Sequence, residues 1–197
     1  MSRPVTASAG GPSAGPFPSR PAIPSGDRLT SASAEGQTLP GRAGELVRQL
    51  QLAPHPEGGW FREIFRSADA APHPDGRGPR QALTSIDFLL AAGERSALHR
   101  VRSDEAWHLL EGGPLQLWLM PPDLSRVELH TLAPVDAAGH RPRRVVPAHW
   151  WQAAEPAPGA PYALVGATVG PGFDFADFSF GRDDAALVQA LPGLRPD

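Results

Sequence analysis

The hydrophobic rhythm of the chain changes twice. From Met1 to about Pro40 the residues are mostly Pro, Ser, Gly and Ala, with only Phe17, Ile23, Leu29 and Leu39 as large apolar positions. Such a stretch buries too little surface to offset its chain entropy, so a disordered tail is expected over residues 1–40. From Gly41 the run GRAGELVRQLQL sets Leu46, Val47 and Leu50 at helical spacing, which predicts a short amphipathic helix. The turn-forming run PHPEGG (Pro54–Gly59) ends it. Beyond that point short apolar runs alternate with Pro- and Gly-rich breaks. They predict strands at Trp60–Arg66, Ala82–Ala91, Ala97–Val101, Glu105–Leu110, Leu115–Met120, Val127–Ala133, Arg144–Val146, Trp150–Ala153, Ala163–Val169 and Asp174–Ser179. Many short strands about 8–12 residues apart indicate an all-β fold, an antiparallel sandwich or barrel. Asp184–Leu191 reads as a closing helix, and no internal repeat is visible, so residues 41–197 form one expected domain.

Composition narrows the partners. The 197 residues suit a single domain with a core of its own. A net charge of −3 with a pI near 6.1 supplies no basic field for nucleic acid or an anionic membrane. With no Cys, disulfides and thiolate zinc sites are excluded. All side-chain cations are Arg, which together with the Ala, Pro and Gly excess reads as compositional bias. No apolar run approaches the roughly 18 residues of a membrane span. The start, MSRPVTASAGG, lacks the apolar core of a secretory signal, so a cytoplasmic protein is expected; its acid-poor, Arg- and Ser-containing make-up also fits a transit peptide.

The candidate chemistry sits in Gly93–Gly112, GERSALHRVRSDEAWHLLEG. In strands, alternate residues share a face, which groups His99 with Val101, and Glu105 with Trp107 and Leu109. If that face is the barrel interior, an imidazole and a carboxyl enter it together, and each then needs the other or an ion. The plainer alternative is a salt bridge on a sheet. His108 falls on the opposite face from Glu105. Trp107 is a candidate platform for a sugar ring or another small planar ligand. Most other aromatic residues, Trp60, Phe61, Trp118, Trp150 and Trp151 among them, read as core filling, with Phe173 a further candidate for ligand contact. Arg62 and Arg66 would suit an anionic substrate, although exposed strand charges are the plainer reading. Gly58-Gly59 and Gly170-Pro171-Gly172 read as turns, since neither opens a helix in a βαβ unit.

The same stretch resembles the first motif of the cupin superfamily, G-x5-H-x-H-x3,4-E-x6-G, through Gly93, His99, Glu105 and Gly112, with Val101 in place of the second His. GHRPRRVVPAHWWQ (Gly139–Gln152) resembles the latter part of the second motif: Pro147 matches, His149 stands at the usual Gly, Gln152 at the usual His and Pro156 at the usual Asn. PHPEGGWFRE, SDEAWH, VVPAHWWQAA and LVGATVGPGFDFADF look like the small single-domain cupins of the cupin-5 type, a family of unknown function, and together they span about Leu46 to Phe180. The resemblance implies a jelly-roll β-barrel, a homodimer and no firmly assigned activity, with sugar isomerases and epimerases as relatives by fold analogy. It also implies a pocket wall at Asp87, where the family usually has an aromatic residue. The metal positions reduce to His99, Glu105 and the amide oxygen of Gln152, a poor transition-metal set that leaves a weaker hard-cation site open.

Three functions remain open from the sequence. One is an isomerase or epimerase on a carbohydrate-like small molecule, with His99 as general base tuned by Glu105 and Gln152 as oxyanion donor. The only Tyr, Tyr162, is not obviously placed as the opposite acid. The second is a non-catalytic metabolite-binding module, which the depleted ligand set favours. The third is a metal-dependent oxygenase or hydrolase.

Overall fold

The computed structural model describes residues 39–73 and 75–191. The expected disordered tail, apart from Leu39 and Pro40, lies outside the described residues. Helix α1 (Gly41–Gln49) leads into β1 (Ala53–Pro54), β2 (Trp60–Arg66), β3 (Ala70–Ala71), β4 (Arg80–Gln81), β5 (Thr84–Ala91) and β6 (Ser96–Val101). There follow β7 (Asp104–Gly112), β8 (Leu115–Met120), β9 (Glu128–Leu132), β10 (Arg143–Val146), β11 (Trp151–Pro156), β12 (Tyr162–Gly170) and β13 (Phe178–Phe180), then helix α2 (Ala185–Ala190).

The named strands pair antiparallel in two main sheets, ordered β1-β2-β5-β12-β7-β10 and β13-β6-β11-β8-β9, with β3-β4 as a small separate arm. The inner faces meet in one core that includes Phe88, Leu90, Trp107, Leu115, Leu117, Leu119 and Val165, so the molecule is an antiparallel jelly-roll barrel. Helix α1 covers part of the outer face of the larger sheet: Ala43 and Leu46 pack on Trp60, Leu89 and Leu164. This is the apolar stripe that the helical spacing predicted.

Three local expectations are corrected. The strand expected at Asp174–Ser179 is a 3₁₀ turn, Phe175–Asp177, followed by β13, because the Asp174 side chain accepts the N–H of Ala176 and bends the chain. The strand expected from Ala82 begins at Thr84, since Ala82 donates instead to Asp69. Trp150 drops out of β11 because its N–H bonds to Pro147 and the preceding His149 has φ +70°. No helix among the described residues is long and apolar enough to cross a membrane.

Candidate functional site

A cavity of about 250 Å³ opens at one end of the barrel, lined from both sheets. Its walls are mainly apolar, with Phe61, Ile86, Val101, Ala167 and Val169 beside Thr84; its floor carries His55, Glu57, His99 and Glu105, and Glu63, Arg66 and Asp174 complete the lining. Phe173, Phe175 and Phe178 surround its mouth. His99 and Val101 share the inward face of β6, as strand alternation requires, and Glu105 enters from β7.

Two floor residues come from PHPEGG, the run that reads in sequence as mere punctuation. It is a tight turn between β1 and β2, closed by His55 N–H to Gly59 O at 2.9 Å and Gly58 N–H to His55 O at 3.0 Å. Gly58 has φ +104°, and a Cβ there would lie 2.2 Å from the Arg95 carbonyl, so this position requires glycine. The Ala97 N–H donates to Glu57 O at 2.7 Å, which ties the turn to β6 and sets the Glu57 side chain beside His99. Turn residues carry no periodicity, so only the resemblance of PHPEGGWFRE to a known family could have flagged His55 and Glu57.

Hydrogen bonds fix the floor. Ser96 Oγ donates to Glu57 Oε1 at 3.1 Å, and Glu57 Oε2 lies 3.2 Å from His99 Nδ1. His99 Nδ1 also lies 2.7 Å from the Ala97 carbonyl, so Nδ1 carries the proton and Nε2 accepts from Gln152 Nε2 at 3.0 Å. Gln152 Nε2 also donates to Glu105 Oε2 at 2.5 Å. The indole of Trp107, a donor only, gives its proton to Gln152 Oε1 at 3.0 Å, and this sets the orientation of the amide. His99 and Glu105 are therefore bridged by Gln152, and the carboxyl nearest His99 is that of Glu57.

Burial dominates the electrostatics. It pushes the Glu57 carboxyl up to about 8, moderated by the Ser96 hydrogen bond. Burial likewise pushes Glu105 up to about 7, against the pull of His99 and Gln152. It lowers His55 to about 4, with His99 adding to the effect, and holds His99 below the usual imidazole range. No guanidinium pairs with Glu57 or Glu105 among the described residues.

Several expected site residues lie elsewhere. Trp107 is only 1% exposed and packs edge-on against Phe88 beneath the floor, so it is no open platform for a ring. Arg62 donates to Leu50 O and Gln51 Oε1 on the outer face of β2. Asp87 pairs with Arg62 in register on that same outer face, and Thr84 and Ile86 supply the wall from β5 instead. Arg66 reaches the mouth, but its guanidinium is held by two hydrogen bonds to Glu63, one to Gln81 and one to Phe173 O. Phe173 does line the mouth, and its N–H donates to Thr84 Oγ1. His108 faces a separate recess with Leu110 and Arg143. Tyr162 donates to Glu111, away from the cavity.

The donor set does not fit the expected metal position. The Gln152 oxygen is occupied by Trp107, and its NH₂ points at both His99 and Glu105, so hydrogens fill the place where a cation would sit. No group of three or more His, Cys, Asp or Glu suited to a metal ion occurs among the described residues.

The family model described as Cupin superfamily (DUF985) matches residues 44–181. A hypothetical protein from Leishmania major is 33% identical, with a TM-score of 0.70 over 77% of this chain and 93% of that one. A protein from Shewanella oneidensis is 32% identical, with a TM-score of 0.66 over 78% of this chain and 97% of that one. No curated protein matches the chain.

Proposed function

The chain belongs to the Cupin superfamily, in the family DUF985, and on that premise we propose that it binds a small molecule in the barrel cavity and moves a proton on it, as an isomerase or epimerase does. The observation that carries this reading is the floor, where two buried carboxyl groups and the imidazoles of His55 and His99 face one space and no guanidinium pairs with either carboxyl among the described residues. A structural ion pair needs no such arrangement, whereas acid–base chemistry does. At about 250 Å³ the cavity falls just below the roughly 300–1,000 Å³ of drug-sized sites, which suits a small metabolite.

The roles differ from those expected from sequence. Both ring nitrogens of His99 are engaged, one with Ala97 O and one with Gln152, so it holds the network rather than taking the proton. Glu105 is the better base: Oε2 is anchored by Gln152, Oε1 has no partner among the described residues, and a carboxyl raised to about 7 is matched to neutral pH. Glu57 is held as an acid beside it. A thermal-shift screen of sugars, sugar nucleotides, purines, amino acids and small carbonyl compounds finds ligands, and mass spectrometry then reads turnover. Glu105→Gln is expected to abolish turnover while retaining binding. Equal turnover by Glu105→Gln and the parent would end the proton-transfer reading, and binding without turnover would leave a metabolite-binding module.

We further propose a homodimer through the uncovered outer face of the larger sheet, where Phe65, Leu110 and Val145 are 51%, 56% and 57% exposed. Light scattering at tens of micromolar tests it; a monomer mass would remove it.

A further inference from the structure

His55 enters the floor from the turn before β2, and the roles above leave it without one. Its Nδ1 accepts the backbone N–H of Glu57 at 3.2 Å. In a neutral imidazole the proton then sits on Nε2. Nε2 has no hydrogen-bond partner among the described residues, although the side chain is only 8% exposed and lines the cavity. The ring is held edge-on to Phe61 at 4.4 Å and to Phe88 at 5.6 Å, so its direction is fixed. The side-chain atoms buried without a partner among the described residues are Arg77 Nε, Arg77 Nη1 and Trp118 Nε1, so the Nε2–H of His55 is not sealed in the core. A directed donor that opens on the cavity is placed to meet an acceptor on a ligand.

We propose that His55 Nε2–H binds the carbonyl oxygen of a small, mostly apolar carbonyl compound, across the cavity from the Glu105 carboxylate. This rests on the proton-transfer reading above. Glu105 takes a proton from the carbon next to the carbonyl; the C–H electron pair becomes a carbon–carbon π bond, and the former carbonyl oxygen takes the negative charge. The His55 N–H stabilises that charge as a neutral donor, and Glu105 returns the proton to carbon, so no co-reactant is consumed. The body of the ligand meets Ile86, Val101, Val169 and the phenyl rings of the mouth. Of the other polar lining groups, Arg66 is held by Glu63 and Thr84 Oγ1 accepts the Phe173 N–H, so a polyhydroxylated ring would meet mainly hydrocarbon and polar groups already engaged, and the geometry favours an apolar or aromatic body over a sugar.

Acetophenone is the probe, with glucose as its counterpart, and binding is followed by NMR of the full chain with ¹⁵N-labelled histidine. The free protein is expected to show His55 protonated at Nε2. Acetophenone is expected to shift that signal, and His55→Ala to weaken binding roughly tenfold, the loss of one hydrogen bond. His55→Gln, whose NH₂ reaches near the position of Nε2, is expected to bind within a few-fold of the parent and also controls for folding. In D₂O the parent is expected to exchange the methyl protons of acetophenone, and Glu105→Gln to stop this. Equal binding by the parent and His55→Ala would overturn the role of His55, and glucose binding tighter than acetophenone would overturn the ligand class. Absence of acetophenone from the cavity would overturn the proposal and leave the broader reading to the ligand screen. Binding that depends on His55 without any exchange would uphold the donor and ligand class and count against proton transfer itself.

Discussion

Two buried acidic sites lie close together in this fold and are treated in opposite ways. Asp177, 3% exposed, accepts hydrogen bonds from Arg80 Nε and Nη2, at 2.9 and 3.1 Å, and its carboxylate lies 3.1 Å from Arg77 Nη1 as an ion pair without hydrogen-bond geometry. Arg77 in turn donates to Ser103. Glu57 and Glu105, 9% and 7% exposed, receive a hydroxyl, an amide and the neutral imidazole of His99, and no cation among the described residues. The first site fastens the mouth segment carrying Phe175 to the loop before β5 and to Ser103. The second leaves desolvation only partly offset, the condition under which a carboxyl can exchange a proton near neutral pH. Burial alone therefore does not distinguish a clamp from a working site; the presence of a counter-charge does.

Removing one acid from each site tests the contrast most strongly. Asp177→Ala would leave Arg77, whose side chain is 2% exposed, buried with only the more distant carboxylate of Asp75, 3.6 Å from its Nε. The expected loss is about 3–5 kcal/mol in urea denaturation at neutral pH. Glu57→Gln removes no ion pair and should change stability by about 1 kcal/mol or less at pH 6. Equal losses from the two variants would break the comparison.

Stability should also depend on pH through the unpaired site. Glu57 and Glu105 are raised by burial to about 8 and about 7, so the folded chain holds their protons more tightly than the unfolded chain does. Their contribution is complete at low pH and is lost as pH rises from the unfolded value through the folded ones. His55, lowered to about 4, and His99, also lowered, act oppositely, since stability rises between about 4 and the unfolded imidazole value near 6.5. The two trends offset each other in mild acid. Above about pH 6.5 only the carboxyls still titrate, so stability should fall by about 2–3 kcal/mol by pH 9. Glu57→Gln should remove most of that fall, and a flat parent profile from pH 6.5 to 9 would show that these acids are not held neutral.

Strand alternation made part of this legible. It placed His99 and Glu105 on inward faces, and the short apolar runs gave the barrel and the covering helix. Alternation assigns a face but not a depth. Trp107 does share the side of β7 with Glu105, yet it sits two residues further along, beneath Gln152 instead of beside the ligand space. His55 and Glu57 were hidden because a turn has no period, and their positions depend on the Ala97 bond across to β6. The aromatic alternation of GFDFADF imitates a strand, and only the Asp174 cap breaks it.

The amide at the centre of the unpaired site offers a smaller test. Trp107→Phe would remove the only donor that Gln152 Oε1 has among the described residues. The expected cost is about 1–3 kcal/mol in stability, from one unpaired buried acceptor plus a small void. With Oε1 released, the amide can turn over and present oxygen to His99 and Glu105. The His99 signals in ¹⁵N NMR should then shift toward the other tautomer, whereas Asp177→Ala should leave them in place if the two sites are independent.

The smallest expected effect concerns the mouth. Phe175 is 61% exposed, and its ring lies beside those of Phe173 and Phe178, with ring centres 5.0 and 6.4 Å away. Phe178 stacks on His99 at 5.2 Å with the planes 19° apart, so it belongs to the floor as well as to the mouth. Phe175→Ala should change stability by no more than about 0.5 kcal/mol, because little of its surface is buried. It should nevertheless shorten the residence time of a cavity ligand, since an apolar ring at the entrance is removed while the clamp at Asp177 still holds the segment. Phe178→Ala should lower stability and displace the His99 signals together. If Phe175→Ala instead destabilised the fold as much as Phe178→Ala, the mouth would be part of the core, and the division between a clamped segment and an open working site would have to be redrawn.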